Sequence, residues 1–276
     1  MRTLGLHRRT GLAAALATVA VALAPAAASA ADVSDLLPTV SPPGANDFTC
    51  KPTAAHPAPV VLVHGTFEGA ADNWATASPK FKAAGYCVFA LEYGNRATGD
   101  IAASAGQLER FVDAVLAATA ARKVSMVGHS QGGMMPRYYL KFLGGASKVD
   151  DLVGLAPSNH GTTNPGAILA GATFCPACDQ QTAGSPFLTN LNAGDETPGD
   201  VSYTQIETRY DEVVTPYTSA FLAPGPRTAN ILLQDACPAE VIDHHEMPND
   251  GLAIRWALQA LGRPGPADPA HPPSCT

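Results

Sequence analysis

The chain has 276 residues, a formal net charge of −7 at pH 7 and an apolar fraction of 46%. An acidic chain without a basic run argues against a nucleic-acid partner, because contact with phosphates needs clustered Lys and Arg. The length and the apolar content suit one large α/β domain.

The first thirty residues have the layout of a secretory signal peptide. They consist of a positively charged start, an apolar stretch and a small-x-small cleavage signal, in segments 2–9, 11–25 and 28–30. A membrane anchor would need about 20 consecutive apolar residues that are not interrupted by such small residues. We therefore expect residues 1–30 to be a signal peptide, residues 31–276 to form the single folded domain, and the mature protein to be extracellular.

Short β-like runs alternate with helical patterns along the rest of the chain. The runs are PVVLVHG (59–65), YCVFALEY (86–93), KVSMVGH (123–129), DLVGLAPS (151–158), YTQIETRY (203–210) and NILLQDA (230–236). The clearest helical patterns cover 100–121 and 249–262. This alternation predicts a mostly parallel sheet of about six strands flanked by helices, with its site at the carboxyl ends of the strands.

The segment 160–200 breaks this alternation. It is rich in Gly, Thr, Asn and Pro, and its only helix signal is SPFLTNLN. A long insertion in a compact domain is usually functional or loose, and a cysteine pair argues for the first. We expect a lid-like insertion here.

A G-x-S-x-G pattern follows the third β-like run and precedes a helical pattern. The residues are Gly128-His129-Ser130-Gln131-Gly132. A strand-to-helix turn this tight crowds the positions two residues either side of the serine, so glycine is required there. The turn would leave Ser130 strained, with its hydroxyl above the sheet, as in a nucleophile elbow. Pro136 would interrupt the following helix, so we expect a kink or irregular first turns.

A serine hydroxyl becomes a nucleophile when a base takes its proton and an acid orients that base. In this kind of site the chain order is Ser, Asp, His. Asp211 directly follows the fifth β-like run, at a strand end where the acid belongs. Glu212 and Asp235 could compete for the same role.

The base should lie after the last strand, and two adjacent histidines, His244 and His245, occur there. Position alone does not choose between them. His160 lies at a strand end, where we expect it to line the pocket, but as a base it would invert the usual order. His64 and His129 are expected to brace the neighbouring turns.

An ester or amide transition state needs two hydrogen-bond donors for its oxyanion. The Gln131 N–H is the first candidate. The second should come from the loop VHGTFEG after the first run, and we expect it to be the Thr66 N–H, with Phe67 lining the acyl side. The loop does not match a phosphate-binding motif, because no Gly-Lys-Ser/Thr follows.

Six cysteines in an exported chain are most simply three disulfides. Cys175-Pro176-Ala177-Cys178 has the spacing of a redox CxxC, yet no thioredoxin-like βαβ pattern surrounds it, so a structural clip is the stronger interpretation. A zinc site would need a second such pair or matching histidines. We therefore expect no metal.

The motifs VLVHGT, GHSQGG, RYDEVVTP and VIDH, in this order, resemble the secreted bacterial class 2 triacylglycerol lipases of the α/β-hydrolase fold and the fungal lipase B type. The resemblance covers nearly all of the chain after residue 30. It implies that His244 is the base. It also implies the disulfides Cys50–Cys87 and Cys237–Cys275, which leaves Cys175–Cys178 as a third.

The resemblance implies a secreted serine ester hydrolase, with triacylglycerol lipase activity as the first expectation. Ser130, Asp211 and His244 would form the catalytic triad of a single α/β-hydrolase catalytic domain, 31–276. No cofactor is expected. The substrate would be a lipid or another apolar ester, with transient contact to a lipid interface and a monomeric enzyme. The alternatives are a carboxylesterase or extracellular polyesterase, a cell-envelope acyltransferase, and a non-catalytic binding protein on the same scaffold.

Overall fold

The computed structural model describes residue 1 and residues 30–275 of the chain. Residues 2–29, and with them nearly all of the predicted signal peptide, lie outside the described residues. Among the helices of the described part, none combines the length and the apolar character needed to cross a membrane.

A parallel sheet of six strands forms the centre of the described chain. The strands are β1 (Val60–Val63), β2 (Val88–Leu91), β3 (Val124–His129), β4 (Val149–Leu155), β5 (Ser202–Glu207) and β6 (Thr228–Leu232). Their order across the sheet is β2-β1-β3-β4-β5-β6, and each neighbouring pair is parallel. The predicted sheet is confirmed, and all six β-like runs contribute a strand to it.

Helices connect the strands and cover both faces of the sheet. They are α1 (Ala70–Asn73), α2 (Ala77–Ala83), α3 (Gly94–Ala97), α4 (Ile101–Thr119), α5 (Gln131–Phe142), α6 (Pro165–Thr173), α7 (Pro176–Gln180), α8 (Pro186–Asn192), α9 (Leu233–Ala236) and α10 (Gly251–Leu261). Short 3-10 turns occupy Ala30–Leu36, Gly145–Ser147 and Tyr217–Ala220. The last four residues of the sixth β-like run are thus helical, in α9.

Two apolar cores lie on opposite faces of the sheet. One packs α4 and α5 against it through buried side chains such as Phe111 and Tyr139. The other packs α2 and α10 through Phe81 and Trp256. Because both faces are covered, β1, β2 and β3 are buried along their whole length, which is why their sequences are nearly continuous apolar runs.

Helix α5 continues through Pro136 and is helical from Gln131, so the irregular first turns that we expected are absent. Proline at this position removes the N–H that would bond the carbonyl of Gly132. The helix nevertheless packs along α4, β3 and β4, and Pro136 itself is buried. Packing on three elements therefore holds the helical path despite the missing bond.

Three disulfides join the six cysteines. They are Cys50–Cys87, Cys175–Cys178 and Cys237–Cys275, which is the pairing that the family resemblance implies. The first and the last attach the segments before β1 and after α10 to the body. The middle one lies in the insertion between β4 and β5, which is built from α6, α7 and α8.

Candidate active site

Ser130 occupies a strained turn between β3 and α5. Its φ of 53° and ψ of −123° are a conformation that residues other than glycine rarely adopt. A Cβ at Gly128 would lie 1.9 Å from the Gly132 carbonyl oxygen, and a Cβ at Gly132 would lie 2.0 Å from that of Val63. Only glycine fits at either position, as the motif predicts, because backbone from the turn and from β1 fills the space.

Asp211 and His244 form a buried hydrogen-bonded pair. The two residues come from the loops after β5 and before α10, and His244 Nδ1 lies 2.7 Å from Asp211 Oδ2. The other carboxylate oxygen of Asp211 accepts the N–H groups of Val213 and Val214 at 2.8 and 2.7 Å. Each carboxylate oxygen therefore has a donor, and the imidazole is held with Nε2 as its free nitrogen.

The pKa of His244 lies below the ordinary histidine value. Burial is the largest cause, because it disfavours the charged imidazolium. The hydrogen bond to Asp211 opposes burial and raises the pKa, whereas the neighbouring His129 and His245 lower it further. The net result is an imidazole that is neutral at pH 7 and able to accept a proton.

Ser130 and His244 line the same pocket, which has a volume of about 240 Å³. Within the described chain no hydrogen bond joins the serine hydroxyl to the imidazole. Such bonds are often long or misaligned in ligand-free enzymes and tighten around the substrate. The Asp–His half of the predicted triad is thus hydrogen-bonded, and the serine lines the same pocket as the histidine.

The competing candidates occupy other places. Glu212 is exposed, and its carboxylate accepts the backbone N–H of His244 at 3.4 Å rather than its ring. Asp235 is exposed on α9. His245 also lines the pocket but is exposed, with its ring edge-on to that of His244. Asp211 and His244 are therefore the pair that the tertiary structure brings together.

The loop after β1 places Thr66 next to Gln131. The Thr66 hydroxyl oxygen accepts hydrogen bonds from the side-chain amides of Gln131 at 2.9 Å and Gln181 at 3.1 Å. With both lone pairs of the oxygen used, its own proton is left to donate elsewhere. Thr66 also lines the pocket, so this proton can be directed toward a bound ligand.

The pocket wall is mostly apolar and carries a few polar groups. Val213 and Val214, after β5, line it together with Ala167 and Ala170 of α6 and with Phe67. Ser158, Asn164 and Gln181 supply the polar part of the lining. An apolar wall with a few polar groups near the reactive atom suits an apolar acyl chain with one polar bond to be cleaved.

His160 lies outside this pocket, and the expectation that it lines the wall is wrong. Its Nε2 pairs with Glu196 Oε1 at 2.9 Å, and its Nδ1 and backbone N–H both face the Ser219 carbonyl. Those contacts turn the ring toward the far end of the insertion. Thr162, two residues later, takes the lining position.

Two polar residues of the site, Gln181 and Glu68, carried no signal in the sequence. Gln181, from α7 and its C-terminal turn, reaches back across 115 residues to Thr66. Glu68 lines the pocket and pairs with His129 at 2.9 Å. Both contacts join residues that are far apart in the sequence, so no local sequence pattern predicts them.

A parallel sheet with a strained serine at the end of a central strand, facing a histidine–aspartate pair, is the architecture of the α/β-hydrolases. A family model described as lipase (class 2) matches residues 57–257. The chain therefore belongs to the class 2 lipase family.

Curated relatives match part of the chain. Lipase B of Pseudozyma antarctica is 35% identical over 142 residues, which are 48% of this chain and 40% of that protein. A triacylglycerol lipase of Pseudarthrobacter phenanthrenivorans is 37% identical over 86 residues, covering 29% of this chain and 27% of the relative. The matched regions thus span less than half of these relatives.

Solved structures share the fold. Lipase B of Aspergillus fumigatus superposes with a TM-score of 0.73 at 25% identity, covering 83% of this chain and 57% of that one. The mature Bacillus licheniformis lipase BlEst2 gives a TM-score of 0.54 at 16% identity, over 76% of this chain and 94% of that one. The second likeness concerns the fold alone.

Proposed function

We propose that this chain is a secreted serine ester hydrolase that acts as a triacylglycerol lipase through an acyl-enzyme on Ser130. The observation that carries the proposal is the buried Asp211–His244 pair, whose histidine lines one mostly apolar pocket together with the strained Ser130. Membership of the class 2 lipase family and the names of its relatives support the substrate class. The disulfides support an oxidising, extracellular location.

In this mechanism the Ser130 hydroxyl attacks the ester carbonyl carbon and passes its proton to His244 Nε2. Asp211 holds the imidazole in the required tautomer. His244 then gives the proton to the leaving alcohol, and water, deprotonated by the same histidine, releases the fatty acid. The Thr66 and Gln131 N–H groups bind the oxyanion, with the Thr66 hydroxyl as a further donor, and loss of one such donor costs about 3 kcal/mol of transition-state stabilisation.

Ser130→Ala tests the nucleophile directly. We expect hydrolysis of p-nitrophenyl butyrate to fall by at least about 10³-fold, while circular dichroism and the melting temperature stay near those of the wild type. An organophosphonate should add once to the wild-type protein, at Ser130, by mass spectrometry. A folded Ser130→Ala variant with wild-type turnover would refute the mechanism, and a chain that resists the phosphonate would favour a binding protein.

The doubled histidine provides a matched control for the base. His244→Ala should abolish turnover, because it removes the proton acceptor, whereas His245→Ala should keep most of it. The pH profile of the wild-type kcat/KM should have its acidic limb below the ordinary histidine pKa, since burial lowers the pKa of His244. Equal losses in the two alanine variants would argue against the assignment.

The cavity volume favours a carboxylesterase as the second candidate. About 240 Å³ is below the roughly 300 Å³ at which pockets for larger ligands begin, so short acyl chains fit best in this state. A rate profile against acyl length, with soluble esters and with emulsified triacylglycerol, separates the two activities. Transfer to a sugar acceptor faster than hydrolysis would instead indicate an acyltransferase.

An apolar rim beside the pocket supports contact with a lipid surface. The rim consists of Phe67, Ile168, Leu169 and Phe174, which are all exposed although large and apolar. Helix α6 has no buried residue, and the rings of Phe67 and Phe174 lie 6.1 Å apart across the mouth. Large apolar side chains in one exposed group mark an interaction site. We propose that this rim lies on the oil phase while the substrate enters.

A further inference from the structure

His129 connects two loops of the site from behind. It precedes Ser130 at the end of β3, and its side chain is buried. Its Nδ1 lies 2.9 Å from Glu68 Oε2, in the loop after β1, and its Nε2 lies 3.0 Å from the backbone oxygen of His244. One ring therefore contacts both the loop of the oxyanion donor and the loop of the base.

Both groups that face the ring nitrogens are hydrogen-bond acceptors. A carboxylate and a carbonyl oxygen have no proton to donate, so each of the two bonds needs a proton on the histidine. The Asn73 amide nitrogen lies 3.1 Å from Nδ1. With the amide turned over, its oxygen would accept from a protonated Nδ1 instead. Only an imidazolium with protons on both nitrogens satisfies Glu68 and His244 together.

We propose that His129 is a positioning residue. As a buried imidazolium it bridges the Glu68 carboxylate and the His244 carbonyl, and it thereby fixes the position of the base relative to the loop that holds the oxyanion donor. Glu68 Oε2 also accepts the Gly65 N–H at 3.0 Å, directly before Thr66. Loss of the bridge would release the backbone beside Thr66 and the backbone of His244 together. The proposal rests on the catalytic roles proposed above for those two residues.

The charge state of Glu68 agrees with this bridge. Burial raises the pKa of its carboxyl, but the charge of His129, its hydrogen bond and the Gly65 N–H lower it more, and the net pKa lies below the ordinary value. Glu68 is therefore ionised at pH 7. A carboxylate that is more than half buried is retained only beside a positive partner, and His129 is the partner in contact with it.

The bridge also affects the proton affinity of the base. The titratable groups around His244 are Asp211 and Glu212 after β5, His245 beside it, Glu68 after β1 and His129 on β3. A positive His129 lowers the pKa of His244 by repulsion, in addition to the larger effect of burial. Removal of that charge should therefore raise the pKa of His244 and shift the acidic limb of the rate profile to higher pH.

The protonation state can be measured without any substrate. In the full mature chain labelled with ¹⁵N-histidine, we expect His129 to carry a proton on each ring nitrogen at the pH of the ester assay. The signal should vanish in His129→Gln. Glu68→Gln keeps an acceptor but removes the negative charge, so we expect His129 to lose one ring proton in this variant at the same pH. This second variant provides the test if His129→Gln does not fold.

The kinetic test uses the pH profile of a soluble ester. We expect His129→Gln to lower kcat/KM by about 10- to 100-fold, mostly through kcat, because the base and the oxyanion donors lose their mutual alignment. The acidic limb should move to higher pH. His271→Gln is the matched control, since His271 also pairs with a carboxylate, Asp268, at 2.9 Å but is 82% exposed, and it should change neither quantity.

Failure of this proposal differs from failure of the proposed function. A His129 with only one ring proton at the pH of the ester assay in the wild type, or a His129→Gln variant whose acidic limb does not move, would overturn the bridge while Ser130→Ala remained inactive. If Ser130 resists the phosphonate yet both ring protons persist, the bridge holds the loops of a protein that is not a hydrolase.

Discussion

Ser130 has a backbone conformation that costs free energy, and its surroundings stabilise that conformation. A positive φ at a non-glycine residue costs of the order of 1–3 kcal/mol. Its backbone N–H donates to Leu155 of β4, and its carbonyl accepts from Gly133 of α5, at 2.9 and 3.0 Å. These bonds, made on either side of the turn, hold the hydroxyl toward the pocket. The strain is thus located at the serine that lines the pocket.

Gly132→Ala should disrupt this turn. The new Cβ would lie 2.0 Å from the Val63 oxygen and 2.5 Å from the His64 oxygen, so β1 and the oxyanion loop would have to move. We expect the free energy of unfolding to fall by about 3 kcal/mol and ester hydrolysis to be lost. Urea unfolding and the p-nitrophenyl butyrate assay measure the two effects.

Gly106→Ala is the opposite case in the same chain. Gly106 lies inside α4, and a Cβ there would meet nothing within 4 Å. Alanine should therefore stabilise the helix by about 0.5–1 kcal/mol without affecting turnover. A Gly132→Ala variant as stable and active as Gly106→Ala would mean that the turn has more room than the structure gives it.

At the scale of elements, the insertion between β4 and β5 contains an apolar helix, α6, and two helices, α7 and α8, that attach the insertion to the body. Helix α6 has no buried residue, whereas α7 and α8 contribute Ala177, Cys178, Leu188 and Leu191 to the core. The difference follows from position, because α6 stands over the pocket and the other two pack on the body. Ile168 and Leu169 of α6 are therefore exposed and available to a surface outside the chain.

Leu169→Ser tests the apolar rim. Leu169 is 66% exposed and is not part of the pocket wall. Removing one large apolar side chain should weaken adsorption to oil by roughly 1.5 kcal/mol, about tenfold, so hydrolysis of emulsified triacylglycerol should fall while that of a soluble ester stays unchanged. Val40→Ser, at a side chain with a similar exposed fraction of 68%, is the control. Equal losses of emulsion hydrolysis in both variants would mean that adsorption depends on the overall hydrophobicity of the surface and not on the rim.

At the scale of the whole molecule, disulfides attach the ends of the described chain to its body. Cys50–Cys87 and Cys237–Cys275 close segments of 37 and 38 residues, whereas Cys175–Cys178 closes only 3. In the chain-entropy account, longer closures restrict the unfolded state more. The terminal pairs should therefore contribute more to global stability than the clip in the insertion.

Paired serine replacements give the corresponding measurement. Replacing Cys237 and Cys275 together should lower the free energy of unfolding by about 4 kcal/mol, and replacing Cys175 and Cys178 together by about 2 kcal/mol. Urea titrations of both variants and of the wild type, under oxidising conditions, test the order. A larger loss at the clip would indicate that it holds native structure rather than restricting the unfolded chain.

Much of the fold follows from local patterns. Each of the six β-like runs contains a strand, and helix α4 begins at the Asp100 cap that accepts from the Ala103 N–H. The glycines around Ser130 predict the tight turn, because a side chain at Gly128 or Gly132 would collide with the backbone. At Pro136 the local sequence gives a wrong prediction, because packing on three elements from elsewhere in the chain holds the helix together.

By itself, the sequence determined the alternation of strands and helices, the serine turn and the acidic, cysteine-paired character of the chain, because each depends on neighbouring residues or on composition. The signal peptide at 1–30 and the extent of the catalytic domain, 31–276, stay predictions of the same kind. Only the tertiary structure decided that Asp211 pairs with the ring of His244, that His160 turns away, and that Gln181, Glu68 and His129 support the site. Those are contacts between side chains far apart in the sequence, and such contacts exist only after the strand ends have been brought to one edge of the sheet.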